Sequence, residues 1–563
     1  MLMRAFRTLL PVIAALCCAV LVSAAPPPPN TYVPPAQFCY PALGAAPGNL
    51  CPVLPGNIGP DPILKYSRGY HGIMGGYPTG PDNDAESPFD NYSWQVFVAL
   101  NWTKGKEHLP PAQGLQGEGP RVWQGWSRVS QVFGNSPVQA NCQVGAGEML
   151  FSIGSNGDRT PSPRNEEYIQ ASTGDPAIDV AGNWTLYERR VNGIEIAYLR
   201  APNGKAQWNL TNATGQSAFA AGQGVVNFPA VSPPGTRNGA MEIKAAWRML
   251  DPKNHAANVK KYFVVRAVVG VAPDLVDRAP ALVIAPICTH VDLGLVAMHI
   301  IQKNPQTVPV SNLNPQWFWT TFEHVDNAPL AKNACDITHP IDCTAFPQSK
   351  CPAEVLMGAP DYSYFDRHYQ NLVNVVPTPA ANGTFFWNGT QPFAKKYMTP
   401  VSAGSHTYTG TQIARCWQVY KLTQELNVQW QRKLREAGSV FANYMLIGTQ
   451  WGGNVEPTFP APGPSDVVPN YLSNSVLETF LQTSFDAKNP QPFNTGSCIT
   501  CHSVASFSAK GVAIEPVNVA SDFSFLPGLV NTKGRRPPIG MPGHDAFFEA
   551  KLPTKAPSPP PQH

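Results

Sequence analysis

Near the C-terminal end, in Cys498-Ile499-Thr500-Cys501-His502, two cysteines stand three positions apart with a histidine directly behind them. No other string constrains the chain as much, because C-x-x-C-H is the attachment spacing of c-type haem. Each position has a chemical reason. Two thiols so spaced can each form a thioether to one of the porphyrin's two vinyl groups. The histidine then falls beneath the ring, where its imidazole ligates the iron from the proximal side. A zinc site would want a second ligand pair of similar spacing, and the sequence holds no second C-x-x-C and no H-x3-5-H. A thioredoxin-like redox pair would want a βαβ context, which is missing around residue 498. One covalent haem c is therefore the expected cofactor, held by Cys498, Cys501 and His502.

The N-terminus supports this independently. Arg4 and Arg7 precede an apolar run from Leu9 to Val22, and Val22-Ser23-Ala24 offers a small-residue cleavage site. Residues 1–24 thus carry the charged, apolar and small-residue regions of a secretory signal peptide. The run is too short for a permanent membrane span, and no later stretch reaches about 18 apolar residues. Cys17 and Cys18 follow Ala14-Ala15-Leu16, which lacks the order of a lipoprotein anchor. Covalent haem on an exported chain implies a bacterial periplasm or the exterior. The N-x-S/T triplets at Asn91 and Asn183 then carry no weight as glycosylation acceptors. Outside the signal peptide and the haem motif stand Cys39, Cys51, Cys142, Cys288, Cys335, Cys343, Cys351 and Cys416. An even set in an oxidising compartment can form up to four disulfides. Cys39–Cys51 and a pair among Cys335, Cys343 and Cys351 are the local candidates; nothing in the spacing favours a second metal site.

The 60 prolines and 46 glycines, with only 14% charged residues, exclude a helical bundle and point to a loop-rich α+β chain. A net charge of +3 argues against a nucleic-acid partner. After the signal peptide come a Pro-rich arm (25–62) and a large β-rich domain (63–456). A Pro-rich linker (457–469), a small, mostly helical haem-binding region (470–530) and a basic Pro-rich tail (531–563) follow. Period-two alternation of Trp94, Val96, Val98, Leu100 and Trp102 predicts the first strong strand. Further strands are expected at 184–187, 194–199, 261–269 and 281–284, and 242–249 is ambiguous between strand and helix. If 317–324 is a strand, Phe318, Thr320, Phe322 and His324 share one face, and Trp317, Trp319, Thr321 and Glu323 the other. Leu422, Leu426, Trp430 and Leu434 recur every four residues and predict a helix over 421–436, with Gly438 as its stop. Residues 441–451 read as a strand. Ser475-x-x-Glu478 has the form of a capping box opening a short helix, whose apolar face would cover the porphyrin or dock the haem region on the body. Asp522 to Leu526 is an apolar segment available to pack on haem.

The motif at 498–502 resembles that of c-type cytochromes. W94-Q-V-F-V-A-L-N-W102, W319-T-T-F-E-H-V-D-N327 and L446-I-G-T-Q-W451 look like strings in large exported bacterial proteins of the cytochrome c family. That resemblance implies a haem and says almost nothing of a substrate. Small cytochromes c supply a distal methionine from a Pro-rich loop after the motif. Here Pro537-Pro538-Ile539-Gly540-Met541-Pro542 resembles such a loop, and Met541 is the single methionine after His502. Met541 is the leading distal candidate; His299, His324 and His544 are alternatives, as is a five-coordinate iron.

Two functions follow. The first is a periplasmic mono-haem cytochrome that exchanges electrons with a redox partner protein. The second is a haem-dependent oxidoreductase (oxidase, peroxidase or oxygenase), because a one-electron carrier needs only about a hundred residues. Its substrate pocket would lie in the large domain, with His324 or Glu323 as acid–base groups. No dinucleotide fingerprint, H-E-x-x-H or G-x-S-x-G supports a separate activity.

Overall fold

The computed structural model describes residues 49–55, 86–116, 119–133, 142–153, 175–230, 238–271, 287–304, 316–335, 360–368, 373–377, 387, 410–452, 467–469, 471–482, 496–503, 505–510 and 516–531. The signal peptide, almost all of the Pro-rich arm, the strand expected at 281–284, most of the tail, Met541 and His544 lie outside them.

The α+β class holds. Among the described residues the main sheet has nine strands: β1 (Ser127–Arg128), β2 (Met149–Ile153), β3 (Thr185–Val191), β4 (Met241–Leu250), β5 (Val264–Val271), β6 (Ile287–Asn304), β7 (Gln316–His324), β10 (Tyr444–Gly452) and β11 (Val467–Val468). A small parallel pair joins β8 (Leu330–Cys335) to β9 (Arg415–Trp417). In the main sheet the order is β1-β3-β4-β6-β7-β10-β11, and β5 branches from β6 to carry β2. The long strand β6 is the hub. Its N-terminal part pairs β5, its C-terminal part pairs β7, and β4 runs along its other edge. The ambiguous 242–249 is thus strand β4, and the strands expected at 184–187, 261–269, 317–324 and 441–451 fall on β3, β5, β7 and β10. The end of the expected 457–469 linker is a sheet strand: Trp451 pairs Val468.

Strand periodicity then gives the sheet two different faces. One carries Met298, Ile300, Phe318, Phe322 and Leu446, all in the largest apolar core. Helix α1 (Glu86–Leu100) lies in that core, so the strand expected at 94–102 is a helix. Its Phe97 ring stacks on Phe322 at 4.0 Å, and its Phe89 on Trp451 at 4.2 Å. Alternation misled because this helix is buried all round and shows no polar stripe. Its polar side chains are satisfied inside the protein instead: Ser93 Oγ meets Thr320 and Thr449 hydroxyls, each at 2.7 Å, and Asn91 accepts from Trp430 Nε1 at 3.0 Å. Asn183 is buried as well. The residues expected as a strand at 194–199 likewise form helix α2 (Gly193–Arg200), because Asn192 caps it by accepting from the Glu195 N–H at 3.0 Å. The amphipathic helix α3 (Lys421–Glu436) is as expected and packs Leu426, Trp430 and Leu434 into the same core.

Among the described residues one cysteine pairing joins distant parts of the chain. A disulfide joins Cys142 to Cys288 across 146 residues, and Cys51 and Cys416 are also disulfide-bonded. The predicted pairings involve Cys39, Cys343 and Cys351, which lie outside the described residues.

His324, on the apolar side of β7, is a satisfied core histidine. Its Nε2–H donates to the Lys261 carbonyl at 2.9 Å, and its Nδ1 accepts from the Asp326 N–H at 3.2 Å. Burial lowers its pKa from 6.5 to about 4. Below pH 6.5 the unfolded chain takes up a proton that the folded chain refuses, so stability is lost as pH falls from 6.5 towards 4, by at most on the order of 3 kcal/mol. Denaturant titration across that window should show this slope, and His324→Gln should flatten it. Phe97→Ala should cost about 3–5 kcal/mol by the same measurement.

Candidate functional site

The second face of the sheet is unlike the first. Along β6 and β7 it presents His299, Ile301, Lys303, Trp317, Trp319, Thr321 and Glu323, and β4 adds Lys244 directly across from His299. Thr321 flanks His299 on the other side. Charged groups so far from water need partners, and two C-terminal segments supply them.

The first is 471–482, a series of turns in place of the expected capped helix. Glu323, fully buried, organises it. Its carboxylate accepts from Arg415 Nη2 at 2.5 Å, from Ser475 N–H at 2.6 Å and from Ser475 Oγ at 2.8 Å. Ser475 therefore spends its hydroxyl on the sheet, and Asn474 replaces it as the local cap, accepting from Val476 N and Leu477 N. The Glu478 carboxylate reaches back to the Asn474 N–H at 3.0 Å. Its other oxygen meets His299 Nε2 at 2.8 Å and Lys244 Nζ at 3.7 Å. Burial works against the Glu478 charge, but His299 and Lys244 overcome it and hold its pKa at about 2. The pairing leaves His299 Nδ1 buried with no hydrogen-bond partner, a loss of about 1–3 kcal/mol if nothing binds it.

The second segment carries the motif. Cys498–His502 forms one helical turn, α4, capped by Ser497, whose Oγ accepts from the Thr500 N–H. Gln450, projecting from β10, clamps it. Its amide donates to Ser497 Oγ at 2.9 Å and to the Pro469 carbonyl at 2.6 Å, while its Oε1 accepts from Ile499 N–H at 2.7 Å. Strands β12 (Ser506–Lys510) and β13 (Pro516–Ala520) pair antiparallel behind it, followed by a 3-10 turn at Pro527–Asn531. Strands thus take a larger share of this region than the mostly helical character expected of it.

His502 is placed by three groups. Its Nδ1 meets the Phe523 carbonyl at 2.8 Å, and its ring lies 5.0 Å from that of Trp319 and 4.9 Å from that of Phe525. Asp522 and Phe523 both hold left-handed backbone, at φ 51° and 66°, an uncommon state for a phenylalanine. The Asp522 carboxylate fixes that bend by accepting from Lys303 Nζ at 2.5 Å and from the Phe228 N–H at 2.7 Å.

These residues fit a covalent haem. Cys498 and Cys501 are both free thiols, on one turn, one buried and the other half-buried. Burial, with the Glu478 carboxylate nearby, keeps both protonated, with Cys501 pushed up to about 12. Burial also lowers His502 to about 4, so the imidazole is neutral at physiological pH. With Nδ1–H given to a backbone carbonyl, the Nε2 lone pair is left for a metal, the outer-shell arrangement usual for a ligating histidine. No group of three or more His, Cys, Asp or Glu among the described residues is arranged to hold a metal ion; a haem iron, ringed by porphyrin nitrogens, needs only axial ligands from protein.

Of the predicted residues, the structure brings His299 to the motif's side of the sheet: it stands two residues along β6 from Ile301, which pairs with Trp319, the ring against His502. It does not bring His324, which lies on the opposite face. Glu323, fully engaged by Arg415 and Ser475, is a structural carboxylate rather than an acid–base group. Lys244, Gln450 and Glu478 went unassigned in the sequence. Glu478 was visible there only as a helix cap.

No family model matches the chain, and no curated protein or solved structure matches it. The cytochrome resemblance therefore rests on the quoted strings alone. No described helix is long and apolar enough to cross a membrane.

Gln450→Ala removes two hydrogen bonds to the motif's base and a third to Pro469, and should destabilise the chain by about 2–3 kcal/mol. In the haem-free protein it should also speed alkylation of Cys498, read by mass spectrometry. An unchanged rate would mean that Gln450 does not hold the turn.

Proposed function

We propose that the chain is an exported mono-haem c-type protein that carries electrons to and from a partner protein in the periplasm. The observation that carries this reading is the turn Cys498–His502: two free thiols and a neutral imidazole whose Nδ1–H is already committed to a carbonyl. Bound there through Cys498 and Cys501, with His502 on the iron, haem supplies a one-electron couple. The chain's own residues hold the imidazole in one orientation through Phe523, Trp319 and Phe525. They surround the motif with paired charges, Glu478 with Lys244 and Asp522 with Lys303. Rigid placement and a fixed field suit electron transfer, because little has to rearrange when the charge changes.

The oxidoreductase reading loses the two groups that gave it an acid–base pair. Glu323 is saturated and His324 uses both nitrogens.

The test is covalent attachment. Exported from a bacterium with a haem-ligating system, the mature protein should keep its red colour through acid–acetone extraction and stain for haem on a denaturing gel. Cys498→Ala with Cys501→Ala should abolish both. Colour that parts from the polypeptide, or a colourless, iron-free protein, would overturn the reading.

A further inference from the structure

We infer that His299 is the second axial ligand of the haem iron, so that the centre is bis-histidine and six-coordinate; this rests on the covalent-haem reading above. His299 carries an atom without a partner. His299 is 4% exposed, and its Nδ1 is buried with no hydrogen bond, whereas most other nitrogens on this face of the sheet are satisfied. Its second nitrogen is tied to the Glu478 carboxylate at 2.8 Å. A carboxylate on one imidazole nitrogen with the other left open is the arrangement that orients a histidine towards a metal and raises its basicity. Lys244 completes the frame, ion-paired to Glu478 and directly across the strand pair from His299.

The placement agrees. Trp319, whose ring lies 5.0 Å from that of His502, pairs across the sheet with Ile301, the next residue of β6 on the face of His299, and the Cys498 thiol meets the carbonyl of Leu472 in the segment that carries Glu478. His299 also stands on the hub strand β6, where its hydrogen bond to Glu478 fixes the ring. The rival candidates Met541 and His544 lie in the tail outside the described residues. His324 faces away, with both nitrogens used.

The test uses the full exported chain with its haem attached. Ferric absorption and low-temperature EPR of the wild type should show a low-spin, bis-imidazole centre, and the reduced protein should not bind carbon monoxide. Met541→Ala and His544→Ala should leave both properties unchanged. His299→Ala should turn high-spin and bind carbon monoxide, with free imidazole restoring the low-spin spectrum. His299→Met should exchange the bis-imidazole signature for a methionine-to-iron charge-transfer band, and this holds the inference to account should the alanine variant fail to mature. A wild-type spectrum that is high-spin, or that carries a methionine band lost in Met541→Ala, sinks the assignment, as does a low-spin His299→Ala without added imidazole. Absence of covalent haem would instead strike the reading on which the inference rests.

Discussion

Glu323 is the carboxylate on which the site depends. It lies at the end of β7 with no exposed surface, takes an Arg415 guanidinium in one direction, and accepts two hydrogen bonds from Ser475 in the other. Removing one partner of a buried pair of this kind costs roughly 3–5 kcal/mol, because the charge left behind has nowhere to go. The geometry of the ion pair therefore decides where 471–482 lies on the sheet. That position in turn sets Glu478 against His299 and Lys244, and gives Leu472 the carbonyl that meets the Cys498 thiol at 3.2 Å.

The two faces of one sheet divide the work of the molecule. Against one face, a helix buried on every side and a second, amphipathic helix close an aromatic core in which Trp94, Phe97, Phe322 and Trp430 interlock. This is rigid, close-packed matter, costly to perturb. The other face trades apolar area for charge, and its charges are closed off by segments from the far end of the chain. A rigid sheet with one inert face and one polar face keeps those charges in fixed positions.

Much of the frame was legible from pattern alone. The alternation of 317–324 put Phe322 and Glu323 on opposite faces, and the four-residue recurrence in 421–436 marked a helix, because each element has one wet or differently packed side. Helix α1 was not legible, since burial on all sides erases the contrast that periodicity needs. Helix α2 was lost to a single asparagine cap. At the site, the motif announced itself, being a contiguous string with a specific chemistry. Lys244, Gln450 and Glu478 did not, and His299 stood only as one of several candidates: the four sit on separate strands and turns up to 234 positions apart and meet only through sheet order. The Cys142–Cys288 pairing was hidden by the same separation.

The bend at Asp522 and Phe523 bears on how the His502 imidazole behaves. Two consecutive side-chain-bearing residues in left-handed backbone, at a cost of about 1–3 kcal/mol each, are a sprung bracket rather than a relaxed loop. The bracket is held shut by the ion pair between Asp522 and Lys303 and presses one peptide oxygen against His502. An imidazole so gripped cannot swivel, so its second nitrogen is aimed in one direction before anything approaches it.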